Sequence, residues 1–256
     1  MLEVRRLTKD FSHGVFSTKK VRAVDGVSFA MEEGKTFGLV GNSGCGKTTV
    51  SRMLTRLIRP DGGEILLDGE NVLRFDRKQT KRYHREVQMI FQNPEASLDP
   101  SRRVGDSLLE AMSIHGLYRS RDEGMEKVRD VLRRVGVPDS LLGRYPHQIS
   151  GGEGQRLVIC RALLLEPSVL ILDEPTSMLD VSVQAHIMNI LRDLQAELGL
   201  TYLYITHDIE LLAWCSHTIG VMHKGVLVET GTQEKLLEAP EHPYTKELLR
   251  SYHEWS

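Results

Sequence analysis

The chain has 256 residues, enough for one large domain or a core with a subdomain. Apolar residues make up 40% and charged residues 27%, an ordinary globular balance, and the formal net charge of −2 argues against a broad nucleic-acid footprint. The three cysteines, Cys45, Cys160 and Cys215, are too scattered for a disulfide framework or a zinc site and suit a reducing compartment.

The first residues, Met1-Leu2-Glu3-Val4-Arg5-Arg6, lack a basic-then-apolar pattern, so no signal peptide is expected. No apolar run approaches the ~20 residues of a membrane helix, so any work at a membrane is expected to go through a partner. Residues 1–35 read as short strands, with a turn at Asp25-Gly26 between apolar residues and a polar surface loop over 12–20. Phe11 has two readings: a core aromatic, the usual meaning of a lone Phe, or a platform for a nucleotide base.

Thr36–Val40 is a short apolar segment that reads as a buried strand. Gly41-Asn42-Ser43-Gly44-Cys45-Gly46-Lys47-Thr48-Thr49 follows and fits G-x-x-x-x-G-K-[ST], a phosphate-binding loop. After it, Val50, Met53, Leu54, Leu57 and Ile58 recur at helical spacing. Glycines let the backbone turn successive N–H groups toward phosphate oxygens, and the helix N-terminus adds more donors and a positive dipole end. In this pattern Lys47 reaches the outer phosphates and the Thr48 hydroxyl coordinates Mg²⁺.

Arg59-Pro60-Asp61-Gly62-Gly63 breaks the chain, and Glu64–Val72 reads as a hairpin with an Asp-Gly turn. Arg77–Arg82 is a local basic patch. Val87–Phe91 is an apolar strand ending at Gln92, before an Asn93-Pro94 turn signal. Residues 93–165 carry helical rather than strand signals. Val128, Val131, Leu132 and Val135 share one helical face that stops at Gly136 and Pro138, and a last helix starts after Ser150-Gly151-Gly152. Val169–Leu172 is a continuous apolar run, as a strand covered on both faces requires, and it ends at Asp173-Glu174-Pro175. Asp180 caps a helix with Val183, Ile187, Ile190, Leu191 and Leu194 on its apolar face; Thr201–Thr206 is a strand ending at His207; Asp208 caps the next helix. Strands alternating with helices imply a mostly parallel sheet between helical layers.

In parallel sheets, ligands bind at the carboxyl ends of the strands. Those ends here carry the phosphate loop, Gln92, Asp173-Glu174 and His207. Asp173 and Glu174 are neighbours whose side chains diverge on an extended chain. One carboxylate is thus available to Mg²⁺ and the other to the attacking water, the division of labour that phosphoryl transfer needs. Glu174 is the candidate general base. His207 is placed to hydrogen-bond the γ-phosphate or the water, and Gln92 to contact Mg²⁺ and the water.

Ser150-Gly151-Gly152-Glu153-Gly154-Gln155-Arg156 resembles the signature segment of ATP-binding-cassette ATPases. The Gly41–Thr49 loop, Gln92, Leu170–Pro175, Ser177-Met178-Leu179-Asp180 and His207 stand around it in that family's order and spacing. Val24–Phe29, Met89–Pro100, Arg144-Tyr145-Pro146-His147 and His242-Pro243-Tyr244-Thr245 resemble, more narrowly, the second ATPase subunit of oligopeptide, dipeptide and nickel importers. The resemblance implies an α/β fold of the phosphate-loop, RecA-like type: a mostly parallel sheet with an antiparallel β subdomain and an inserted helical subdomain. One nucleotide-binding domain would span 1–256, with 1–92 and 166–256 as the ATP-binding core and 93–165 as the helical signature subdomain.

By the same resemblance the chain binds ATP and Mg²⁺ and hydrolyses ATP to drive import of a peptide, dipeptide or nickel-type solute selected by other subunits. Two cassettes would face head to tail, each ATP lying between one loop and the partner's Ser150, Gly151, Gly152 and Glu153. The implied partners are a second ATPase subunit (a homodimer being the other option), two membrane permease subunits contacted through residues 93–100, and, indirectly, an extracytoplasmic solute-binding protein. No nucleic acid is expected, and the implied location is peripheral, on the cytoplasmic face of the cell membrane. The competing class is a soluble cassette ATPase acting on DNA or ribosomes. Such chains usually carry two cassettes or long coiled coils, and the stretch of about a hundred residues between Lys47 and Ser150 has no sustained heptads.

Three departures from the family pattern stand out. Glu153 replaces the usual Gln, and Ser150-x-x-Glu153 is also a capping box, which would turn the carboxylate back onto its own helix. Met178 replaces the usual Ala at an expected dimer interface. The cysteines often found in a C-terminal extension are not among the residues up to Ser256, so no iron–sulfur site is expected.

Overall fold

The computed structural model describes residues 1–12, 20–92 and 97–253. The loop expected over 12–20 (apart from its ends), the Asn93-Pro94 turn with Glu95 and Ala96, and Ser256 lie outside the described residues. The chain divides into two compact units, Met1–Thr80 with Thr201–Ser256, and Lys81–Leu200.

The first unit contains β1 (Leu2–Ser12), β2 (Lys20–Met31), β3 (Thr36–Val40), β4 (Gly62–Leu67) and β5 (Glu70–Asn71), and later β8 (Thr201–Thr206), β9 (Thr218–His223) and β10 (Val226–Thr232). An antiparallel sheet runs in the order β2-β1-β4-β5. The Asp68-Gly69 turn joins β4 to β5 with φ of 51° and 85°, the two left-handed residues of a tight hairpin, as its Asp-Gly pair predicts. Asp25-Gly26 is different. Leu7 pairs with Val27 and Lys9 with Val24, so β2 holds one residue more than β1 over that interval. Gly26, at φ 66°, absorbs it as a bulge inside one continuous strand, where the sequence suggested a turn between two.

All five residues of β3 are buried. It runs parallel to β8 on one side and to β9 on the other, and β10 returns antiparallel on β9. Every residue of β8 is buried too, its terminal threonines included. The helices of this unit are α1 (Lys47–Leu54), α7 (Ile209–Cys215), α8 (Gln233–Glu238) and α9 (Pro243–His253).

The boundary between the units falls within α2 (Arg77–Glu86). The second unit continues with β6 (Val87–Ile90), α3 (Val104–His115), α4 (Arg121–Arg134), α5 (Gly151–Leu163), β7 (Val169–Asp173) and α6 (Val181–Leu198). β6 and β7 pair in parallel, Ile90 opposite Leu172. Described residues between them form helices and turns without a strand. Asp180 caps α6 by accepting the Val183 N–H at 2.9 Å, and Gly199 at φ 65° ends that helix. α2 covers the basic patch: Asp76 and Gln79 cap its start reciprocally, at 2.8 and 3.0 Å, and Tyr83 is its one buried residue.

Candidate functional site

The phosphate loop leaves β3 at Val40, directly opposite Thr206 in the parallel register, so Gly41 and His207 emerge from adjacent strand ends. Gly41 and Gly46 have φ of 156° and 109°. A Cβ on Gly41 would lie 2.1 Å from the Met222 carbonyl oxygen, and one on Gly46 2.3 Å from that of Ala23. Both positions therefore need glycine for conformation and for room. Asn42, Ser43, Gly44 and Thr48 are exposed, Thr49 is half-buried, and Cys45 and Lys47 are buried.

Lys47 is 6% exposed. Its ammonium donates to the Gly41 and Asn42 carbonyl oxygens at 2.6 and 3.3 Å and lies 3.8 Å from the Cys45 sulfur. Among the described residues no carboxylate forms an ion pair with it. A buried, unneutralised cation is costly unless an anion completes the site. Gly46 N-caps α1, no described side chain caps that helix, and its first turn has no acidic residue. Cation, helix N-terminus and open loop together fit a phosphate chain.

Phe11 is 42% exposed, which overturns the core reading, and the Lys9 ammonium lies 5.7 Å from its ring centroid. An exposed ring on the same unit as the loop remains available to a base.

In the second unit Asp173 ends β7 and is buried. Glu174 is half-buried and has φ 49°, a left-handed conformation that costs a non-glycine residue roughly 1–2 kcal/mol. The backbone is thus kinked at Glu174, not extended as the reading of divergent side chains assumes. The Gln92 amide Nε2 donates to Glu174 Oε2 at 3.1 Å and to the Ser177 hydroxyl at 3.0 Å, and that hydroxyl donates to the Glu174 carbonyl at 3.2 Å. Gln92, Glu174 and Ser177 thus form one network at the ends of β6 and β7. Strained backbone held by such contacts is a mark of functional sites. Ser177's part in it was not legible in the sequence beyond its place in the motif.

Ser150 N-caps α5, and the reciprocal capping box is formed. The Ser150 N–H and hydroxyl both donate to Glu153 Oε2 at 2.8 Å, and the Glu153 N–H reaches back to the hydroxyl at 3.4 Å. The departure from Gln is therefore accommodated: the carboxylate is turned onto its own helix. Ser150's N–H, then its hydroxyl, hold the Glu153 carboxyl below its ordinary 4.5. Its stabilising contribution is full above that ordinary value and is lost as pH falls through the lowered one. Glu153→Ala is expected to cost about 1 kcal/mol at pH 7, and the gap from wild type should narrow toward pH 4 when urea midpoints are compared.

The N-termini of α5 and α6 open on one pocket of about 490 Å³, lined by Ser150, Gly152, Glu153, Arg156, Asp180 and His186 among others. A Cβ on Gly152 would meet the Val183 side chain at 2.7 Å, so a larger residue would close part of this wall. Met178, at its rim, is 68% exposed and does not pack into the chain.

The loop also has a backing that sequence reasoning missed. The Gly225 N–H, in the β9–β10 turn, donates to the Cys45 carbonyl at 2.9 Å. The Asn42 N–H, expected to turn toward phosphate, donates instead to the Tyr244 hydroxyl of α9 at 3.2 Å. Burial pushes the Tyr244 phenol above its ordinary 10.0, so it acts as a neutral hydroxyl. The signal was present only as the His242–Thr245 segment, with no physical partner legible.

A family model described as ABC transporter matches residues 24–177. The oligopeptide transport ATP-binding protein OppF of Bacillus subtilis (strain 168) is 46% identical over 97% of this chain and 81% of its own length. The dipeptide transport ATP-binding protein DppF of Escherichia coli (strain K12) is 43% identical over 92% and 71%. Among solved structures, cbiO1 from Clostridium perfringens, part of the ABC transporter complex cbiONQ, superposes with a TM-score of 0.79 at 28% identity, covering 98% of this chain and 94% of that one. The dimeric ATP-binding cassette MJ0796, in a post-hydrolysis state with ADP and Pi, gives 0.79 at 25% identity, covering 91% and 99%. With the matched model spanning more than half of its length and such relatives along nearly all of it, the chain belongs to the ABC transporter family as an ATP-hydrolysing cassette.

Proposed function

We propose that this chain is the ATPase of a peptide importer, acting with a second cassette on the cytoplasmic face of two membrane permease subunits. The observation that carries the substrate class is the near-full-length identity to proteins named for oligopeptide and dipeptide transport. Among the described residues no helix is long and apolar enough to cross a membrane, so passage of the solute falls to other subunits.

The roles follow from the chemistry of each group. Lys47 and the loop residues Gly41 to Thr49 hold the phosphates, and Phe11 stacks on the base. Mg²⁺ would be held by the Thr48 hydroxyl, the Gln92 amide oxygen and the Asp173 carboxylate, hard oxygen donors that suit it; when bound it neutralises phosphate charge. Gln92 has committed its Nε2 to Glu174 and Ser177, so its Oε1 is the atom to offer a metal. Glu174 accepts the proton of the attacking water, oriented by that amide donor. His207 donates toward the γ-phosphate. Ser150, Gly151, Gly152 and Glu153 receive the phosphate carried by a facing cassette, at the paired helix N-termini.

A strain lacking the gene should lose uptake of labelled di- and oligopeptides, regain it with the wild-type gene, and fail to regain it with Glu174→Gln. Unchanged peptide uptake in the deletion strain would falsify the substrate class, and lost nickel uptake there would redirect it.

A further inference from the structure

The C-terminal helix reaches the phosphate loop through a chain of contacts within the first unit. The Glu229 carboxylate, on β10, accepts the N–H groups of Glu241 and His242 at 2.7 and 3.0 Å and so fixes the start of α9. The His242 ring nitrogen accepts the Tyr244 N–H at 3.1 Å, and Pro243 opens the helix with its preset φ. The Tyr244 ring lies 3.9 Å from that of His223, the last residue of β9. Its hydroxyl then takes the Asn42 N–H, 202 residues away in the chain.

We propose that α9 is a clasp for the phosphate loop, with Tyr244 as the positioning residue that holds the loop in its nucleotide-receiving shape. The proposal rests on the reading that this loop binds nucleotide. From outside the loop, the Met222 carbonyl beside Gly41, the Ala23 carbonyl beside Gly46 and the Gly225 N–H on Cys45 are backbone and invariant to side-chain change. The Lys47 ammonium holds the Gly41 and Asn42 carbonyls from within the loop, and Tyr244 adds a side-chain hydrogen bond from another element. A glycine-rich segment has much conformational freedom to lose, so a fixed contact lowers what the ligand must supply on binding. The C-terminal segment therefore sets nucleotide affinity, and anything that moves α9 changes it. Tyr244 touches no reacting atom, so chemistry on bound ATP is left alone.

The test is Tyr244→Phe, which keeps the ring against His223 and removes the acceptor. Its Kd for both ATP and ADP should rise by about three- to tenfold, the scale of one net hydrogen bond. KM for ATP should rise likewise while kcat stays within about twofold, and amide exchange over residues 41–46 should quicken without nucleotide while β8 stays protected. Glu229→Ala, which loosens the start of α9, should act in the same direction and add little on top of Tyr244→Phe. Unchanged Kd and unchanged exchange in both folded variants overturn the clasp, as does a fall in kcat with KM unaltered. Lys47→Ala separates the two layers: if it binds ATP like wild type, the nucleotide reading of the loop fails, whereas its loss of binding beside a normal Tyr244→Phe removes the clasp alone.

Discussion

Lys47→Ala is expected to abolish measurable ATP binding and turnover while leaving the apo fold nearly as stable as wild type. Two opposing effects meet at this side chain. Its ammonium is buried, and the effective desolvation penalty for such an ion is several kcal/mol. Against that stand hydrogen bonds to the Gly41 and Asn42 carbonyls, about 1.5–3 kcal/mol each for a charged donor. These nearly cancel in the apo chain, so the melting temperature should move by only about a few degrees.

With nucleotide present the balance shifts. Phosphate supplies the missing anion, and its loss should weaken binding by roughly a hundredfold or more. Wild type at a hundred times its Kd gains about 2.7 kcal/mol from ligand, on the order of 5–10 °C for a chain of this size. The variant should show none of that shift in a thermal scan with ATP. A normal ATP-induced shift in Lys47→Ala would remove the lysine from the site.

What was legible in the sequence follows from how locally each feature is determined. β7 announces itself because a strand covered on both faces carries an apolar run, here Val169 to Leu172, and β8 does so by its aromatic and β-branched residues; all residues of both are buried. The caps at Asp180 and Ser150 are legible because a cap is a contact over three residues. α2 buries only Tyr83, so no apolar period marks it in the sequence; its Asp76-x-x-Gln79 box is the usable sign. The β9–β10 hairpin is not legible either. β10 is mostly half-exposed, and its turn is Lys224-Gly225, with φ of 46° and 85°, a pair less diagnostic than Asn-Gly or Asp-Gly. Asp25-Gly26 shows the converse error. A left-handed glycine serves a turn or a bulge equally well, and only the pairing across to Leu7 and Lys9 decides between them.

The candidate site divides the same way. Gly41 to Thr49, Asp173 and Glu174 are contiguous motifs and were named from the sequence. The hydrogen bonds from Gln92 to Glu174 and Ser177 span 82 and 85 residues, and the Tyr244 contact more than 200. No periodicity or spacing rule encodes such distances, because they depend on which strand ends the fold brings together. The two readings of Phe11 stay open in the sequence for a related reason: residue type predicts only average burial, and the exposure that decides between them appears once its strand is placed.

Glu174→Gln should keep ATP affinity within about a factor of a few and lower kcat by about 10²–10⁴-fold, the usual contribution of a general base. Gln has the same shape but no basic oxygen to accept the water's proton. The substitution replaces an oxygen with an amide nitrogen at one position, so the contact from Gln92 Nε2 can persist through the remaining amide oxygen. The left-handed backbone at residue 174 is as accessible to Gln as to Glu, so the fold should not change. ATP held without turnover then becomes a probe of the signature pocket. If mass in solution doubles with Mg-ATP, this chain's own Ser150-Gly151-Gly152-Glu153 wall can close a site on a second copy, and the capping box leaves room for phosphate. If the variant binds ATP and stays a monomer, the chain needs a different cassette opposite it. Glu153→Gln in the Glu174→Gln background then decides whether the carboxylate is the obstacle: restored dimerisation assigns the block to Glu153, and a persistent monomer assigns it to the exposed Met178 rim or the lack of the second subunit. Near-normal hydrolysis by Glu174→Gln would instead move the proton-accepting role to another group.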